Sequence, residues 1–292
     1  MPRKMTKYVN LQTFLFILPA IVLVGTFVYA FSIWNVFISL TDWRGLVTRI
    51  RFVGLENYLK LVSDPVAQKA LINTFLLALT FIPLTMLIGL VVAILLDLEL
   101  KGTSIFRTIF LLPLSFSFVV SATMWTWMFS PEQGTINSLL RLLHLNFLCQ
   151  PWITSTEQSL WCILLVYVWQ FSGYVTIIYY SGIRSIPKEH IEAAEIDGAS
   201  TFDKYRYVVI PQLKGETVGV LTILLFYALR VFDLVYLLTG GGPALSSEVL
   251  ATYMYRITFN QNLFAYGASI GTLIFVIALA IMVPFLILSR RR

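Results

Sequence analysis

Four carboxylates, Glu192, Glu195, Asp197 and Asp203, are interleaved with Lys204 and Arg206 in one polar stretch of a largely apolar chain. Acids at such spacing can trade protons, hold a metal or form a charged docking surface. A zinc-type metal site would need histidine or cysteine at ligand intervals. His144 and His190 stand far apart, and Cys149 and Cys162 have neither metal-ligand spacing nor a histidine at the right interval. No metal site and no disulfide follow, and the histidines read as ordinary loop or surface residues. A docking surface fits the stretch, and an amphipathic hairpin resting on lipid headgroups fits it equally well.

Arg230 and Asp233 lie inside an apolar run. Ionisable groups in a bilayer are costly and mark a functional position by default. Three apart on a helix, the two would share a face and could pair, either lining a path or locking neighbouring helices. Trp169, Gln170, Ser172, Gly173 and Tyr174 form a polar and aromatic patch in a second apolar run. Such a patch suits a sugar: an aromatic face packs on the C–H side of the ring while amides and hydroxyls answer its hydroxyls. Trp169, Gln170, Tyr174, Arg230, Asp233 and Tyr236 are therefore the candidates for a substrate path. Trp125, Trp127 and Trp161 fit an interfacial aromatic belt. Neither G-x-x-x-x-G-K-[ST] nor G-x-S-x-G occurs, so no residue is assigned a catalytic role.

The elements that must position these groups follow from composition. Of 292 residues, 58% are hydrophobic and 12% charged, where a soluble domain carries about a quarter charged. An all-α membrane protein is expected, organised as one transmembrane domain over residues 1–292. The net charge of +6 sits in loops, where it orients the chain and attracts anionic lipid, and nucleic acid is not indicated. A span needs about 20 apolar residues to cross roughly 30 Å. Six segments qualify, at about 14–40, 71–96, 105–129, 160–180, 218–238 and 269–288. The first, preceded by Arg3, Lys4 and Lys7, is too long for a signal peptide and reads as an uncleaved anchor. Lys and Arg place both termini in the cytoplasm: Arg3, Lys4, Lys7, Lys101, Arg107, Arg184, Lys188, Lys204, Arg206, Lys214, Arg290, Arg291 and Arg292 fall inside. Arg44, Arg49, Arg51, Lys60, Lys69, Arg141 and Arg256 fall outside. Pro19, Pro83, Pro113 and Pro284 lie within spans and predict kinks.

The carboxylate-bearing stretch is the inner loop of about 182–216, longer than a passive connector needs to be. Pro187 opens a short helix that Gly198 closes, and Ser200-Thr201-Phe202-Asp203 matches a capping box opening a second, which should end before Pro211. Glu192-Ala193-Ala194, then Gly198, then Val208 and Ile210-Pro211 resemble the signature loop of binding-protein-dependent ABC importer permeases. Val208 and Ile210 replace the commoner Ile and Leu. Ile196-Asp197-Gly198-Ala199 is similar to the form in carbohydrate-importing members, those like the maltose and glycerol-phosphate permeases. Phe52-Val53-Gly54-Leu55-Glu56-Asn57-Tyr58, Asn73-Thr74 and Leu237-Leu238-Thr239-Gly240-Gly241-Gly242-Pro243 extend the resemblance over nearly the whole chain.

The resemblance implies a type I importer permease without its own ATPase site. Its loop, through Glu192, Ala193, Ala194, Asp197, Gly198, Ala199, Phe202 and Pro211, would dock a cytoplasmic ABC ATPase dimer that holds ATP and Mg. This chain itself would bind no cofactor. Expected partners are a second permease subunit, an extracytoplasmic solute-binding protein and membrane lipids, in a bacterial cytoplasmic membrane. The outer loop from Ser130 to Ser159, amphipathic near Ile136 to Leu143, would meet the binding protein or lie on the bilayer. The cargo would be a sugar, oligosaccharide or polyol derivative. A membrane enzyme on lipid-linked substrates and a stand-alone ion-coupled transporter are the competing readings. The first should show acidic, histidine or metal-ligand clusters at a membrane face, where the loop acids here follow the spacing of the docking signature, and the second has only Arg230 and Asp233.

Overall fold

The computed structural model describes residues 11–45, 50–98 and 102–290. Arg3, Lys4, Lys7, Arg49, Lys101, Arg291 and Arg292 lie outside the described residues. Among the described residues the chain is helical apart from its connections and one isolated bridge between Thr41 and Phe52. The helices used below are α1 (Phe14–Ser39), α2 (Glu56–Ser63), α3 (Pro65–Asp97), α4 (Ile105–Ser115), α5 (Phe118–Met128), α6 (Thr135–Leu142), α7 (Ser159–Ser185), α8 (Lys188–Ile196), α9 (Thr201–Gln212), α10 (Lys214–Leu229), α11 (Asp233–Leu238), α12 (Leu250–Tyr255) and α13 (Phe264–Ile287). Four of them, α1, α3, α7 and α13, are each long and apolar enough to cross a membrane. If each of the bent pairs α4–α5 and α9–α10 is one span, the number of candidate spans by length and composition is up to six.

The chain packs as two compact units. In the unit formed by Met1–Val62 and Met254–Leu273, a small core of Ile38, Ala265 and Ala268 is covered by Trp43. Here the motif from Phe52 to Tyr58 closes the end of α1. Asn57 Nδ2 donates to the carbonyls of Ser39 and Thr41 at 2.8 Å each, and the amides of Val53 and Gly54 reach the carbonyl of Leu40. The last carbonyls of a helix have no partner within it, so these bonds answer groups that would otherwise stay unpaired.

In the unit formed by Ser63–Tyr253 and Ile274–Arg292, α3 and α7 lie against each other along most of their lengths, and α10 and α11 add to the same core. Gly89 sets the α3–α7 distance, because a Cβ there would collide with the side chain of Val175. Asn73 and Thr74 of α3 clamp the segment after α11. Asn73 Nδ2 donates to the carbonyls of Ser246 and Glu248 at 2.8 Å each, and Thr74 Oγ1 accepts the amide of Leu250 at 3.0 Å. One motif and a segment far from it in sequence thus form one joint.

Three expectations need correction. The span expected over 105–129 is broken, with α4 and α5 meeting at 108°. Pro113 withholds one backbone donor on the approach to the bend. The carbonyl of Phe116, freed at the break, accepts Nε2 of Gln170 at 2.9 Å. The span expected over 218–238 is interrupted: α10 stops at Leu229 and α11 starts at Asp233. Across the step Val231 is 2% exposed and Leu234 and Val235 are 0% exposed, so the interrupted stretch still packs into the core. With the helix interrupted, Arg230 and Asp233 do not share a helix face, and no ion pair joins them. Finally, α9 does not end before Pro211. It runs on to Gln212 through a π-helical stretch, Lys204–Val209, whose wider turn accommodates the ring, and bends by 66° into α10.

Candidate functional site

The loop between α7 and α10 is two short helices around a tight turn. Pro187 sits at the N-terminal boundary of α8, where a missing backbone donor costs nothing. At its other end the amide of Ala199 reaches the carbonyl of Ala194 at 2.9 Å and that of Gly198 reaches Glu195 at 3.0 Å, a Schellman turn. This bonding explains the spacing of the signature: the second alanine offers the carbonyl that the residue after glycine must reach. Gly198 has φ +78° and open space around its Cβ position, so glycine serves backbone conformation there and not clearance. Ser200 caps α9, its Oγ accepting the amide of Asp203 at 3.2 Å and donating to Oδ2 of the same residue at 2.5 Å. Lys204 Nζ meets Glu195 Oε1 at 2.6 Å and His190 Nδ1 meets Gln212 Oε1 at 3.0 Å, tying α8 to α9.

Glu192, Ala193, Asp197, Gly198, Phe202 and Pro211 are exposed, with Ala194 and Ala199 half-buried. Two large apolar side chains project from the turn, Ile196 at 86% and Phe202 at 68% exposure. The two form an exposed apolar pair flanked by the exposed acids Glu192, Glu195 and Asp197.

The loop is also fastened to the membrane helices, a connection the sequence did not reveal. Asp97, at the end of α3, accepts the hydroxyl of Tyr205 on Oδ2 at 2.7 Å and Nε of Arg184 on Oδ1 at 3.0 Å. Burial, followed by the adjoining Asp97 carboxylate, pushes the Tyr205 phenol above its ordinary range, against a smaller opposing pull from Arg184. The hydroxyl stays a donor at neutral pH.

The candidates for a substrate path are divided among several places. Tyr174 lines a cleft of about 470 Å³ with Leu114, Phe171, Thr222, Phe226 and Tyr227. Phe171 and Tyr227 stand 4.6 Å apart, and Arg230 lies over the ring of Phe226 at 5.9 Å, which places it beside the cleft. Trp169 packs on Trp125 at 5.5 Å, and Gln170 is committed to the bend at Phe116. Tyr236 stacks on Phe232, and Asp233 is exposed at the start of α11. Phe171, Thr222, Phe226 and Tyr227 escape a sequence reading because aromatic and threonine residues in apolar runs look like core.

In the outer loop, α6 covers Thr135–Leu142, and Asn137, 2% exposed, organises the segment. Its Nδ2 donates to the carbonyls of Pro131 and Gln150 at 3.0 Å each, while Oδ1 accepts Nε1 of Trp152 at 2.8 Å.

Helices long and apolar enough to cross a membrane, with an exposed helix–turn–helix between two of them, define a multi-pass membrane protein. The chain belongs to the family of binding-protein-dependent transport system inner membrane components, whose pattern matches residues 85–291. It is a permease subunit of an ABC importer and not an enzyme. It is 48% identical to a probable ABC transporter permease of Pyrococcus horikoshii over 93% of each chain. It is 36% identical to the xylose/arabinose import permease XacH of Haloferax volcanii, over 91% of this chain and 84% of that one. Its fold matches a chain of a bacterial ABC transporter that imports the acidic polysaccharide alginate, with a TM-score of 0.82 over 96% of this chain and 95% of the other at 23% identity.

Proposed function

We propose that this permease is one of two membrane subunits of a sugar importer, taking a sugar, oligosaccharide or polyol derivative by alternating access. The sugar transport named for XacH supports the cargo class. In this reading both termini and the loop of 182–216 face the cytoplasm. A solute-binding protein delivers cargo from the other side, and an ATPase dimer holding ATP and Mg docks on the loop. The relatives include archaeal proteins, so a cytoplasmic membrane, bacterial or archaeal, is the proposed location.

The observation that carries the docking assignment is the exposed helix α8, rigidly closed at Gly198, with Ile196 and Phe202 projecting beside Glu192 and Asp197. Closure of the ATPase would push on this turn, and Tyr205 would pass the displacement to Asp97. The cleft at Tyr174 supports the cargo assignment: its volume lies within the range of small-molecule sites, and its lining mixes aromatic faces with the hydroxyls of Tyr174, Thr222 and Tyr227.

Co-purification of the ATPase with wild type and with Glu192→Lys tests the docking assignment. Association lost with the charge reversal is expected, and unchanged association together with unchanged uptake removes it. For the cleft, Tyr174→Ala should lower uptake or change cargo preference while the complex still assembles, and wild-type uptake across a sugar panel would rule it out.

A further inference from the structure

A second cleft, of about 350 Å³, opens between the end of α3, the start of α4 and the last two turns of α7. Two guanidinium groups stand in it on one ring: Arg107 and Arg184 each lie 5.4 Å from the centre of Tyr180. Twice that distance bounds their separation. Asp97 answers Arg184. Arg107 is exposed, and among the described residues it meets no carboxylate, its recorded contact being the Tyr180 ring. Among the described residues, the positive charge of Arg107 therefore has no carboxylate against it. Its walls add the hydroxyl residues Thr176 and Ser181 and the apolar side chains of Leu96, Leu111 and Ile177.

We propose that this cleft binds the phosphodiester headgroup of an anionic phospholipid, with Arg107 as the principal contact and Arg184 as the second. Guanidinium forks match phosphate oxygens in geometry as well as charge, which a lysine does not reproduce. A free phosphate would use only the two arginines. A phospholipid also uses the apolar walls, and at the end of a membrane helix it is the anion at highest local concentration. This site is separate from the cleft at Tyr174 and from the loop surface, and it does not depend on either assignment.

The test is native mass spectrometry of the full chain released from vesicles of phosphatidylcholine doped with phosphatidylglycerol. Wild type should retain phosphatidylglycerol selectively, and Arg107→Gln should lower retention about tenfold, the loss of one charge-assisted contact. Arg107→Lys should fall between them. Ser181→Phe fills the cleft without touching either charge and should also release the lipid, which keeps the proposal exposed should Arg107→Gln fold poorly. Equal retention in wild type, Arg107→Gln and Ser181→Phe overturns it. So does displacement of the lipid by inorganic phosphate at matched concentration, which would make the site one for a soluble anion. Loss of the second permease subunit with lipid retention unchanged overturns it too, marking this face as a protein interface.

Discussion

Tyr205 donates its phenolic hydrogen to Oδ2 of Asp97 at 2.7 Å, joining residues 108 positions apart in the chain. Arg184 fills the other oxygen of the same carboxylate. One acid at the end of α3 therefore collects the end of α7 and the middle of α9, which links the loop to two membrane helices. Removing the hydroxyl with Tyr205→Phe deletes one bond to a charged group, worth about 1 kcal/mol at a partly exposed site. ATPase co-purification should persist while uptake falls about fivefold. Loss of both together would make Tyr205 part of the docking surface instead.

Backbone conformation at Gly198 makes a separate prediction. An L side chain at φ +78° costs about 1–2 kcal/mol, and asparagine tolerates that region better than alanine. ATPase association should therefore weaken in the order Gly198→Asn, Gly198→Ala, Gly198→Val. An order following side-chain volume alone, with asparagine worse than alanine, would place the effect on contact with the partner.

The joint made by Asn73 should be essential to folding and indifferent to cargo. Asn73→Ala leaves the half-buried carbonyl of Ser246 and the buried carbonyl of Glu248 without their donor, at about 2–3 kcal/mol. A lowered thermal midpoint in detergent is expected, with unaltered sugar preference in whatever protein survives.

Asp233 offers the opposite case. It is exposed and opens α11, where a negative charge gains about 0.5 kcal/mol from the helix terminus. Asp233→Asn should express and assemble normally while changing uptake or cargo preference. Failure to reach the membrane would give it a structural role that its surroundings do not explain.

The sequence by itself determined what depends on local pattern. Six apolar runs, the length of the inner loop, the cap at Ser200 and the turn at Gly198 all follow from composition and neighbouring residues, because helix burial and capping are settled within a few positions. Tertiary structure decided what depends on residues meeting across the bundle. The runs around Phe116 and Val231 read as continuous helix, yet both break. At the first, Gln170 satisfies the freed carbonyl. At the second, Val231, Leu234 and Val235 still pack into the core across the step. That break cancelled the pairing of Arg230 with Asp233, since a shared helix face requires a shared helix. The cleft at Tyr174, the clamp at Asn73 and the link from Tyr205 to Asp97 likewise join positions dozens to more than a hundred apart. Such contacts leave no periodic trace in the chain, because their geometry exists only once the helices have packed.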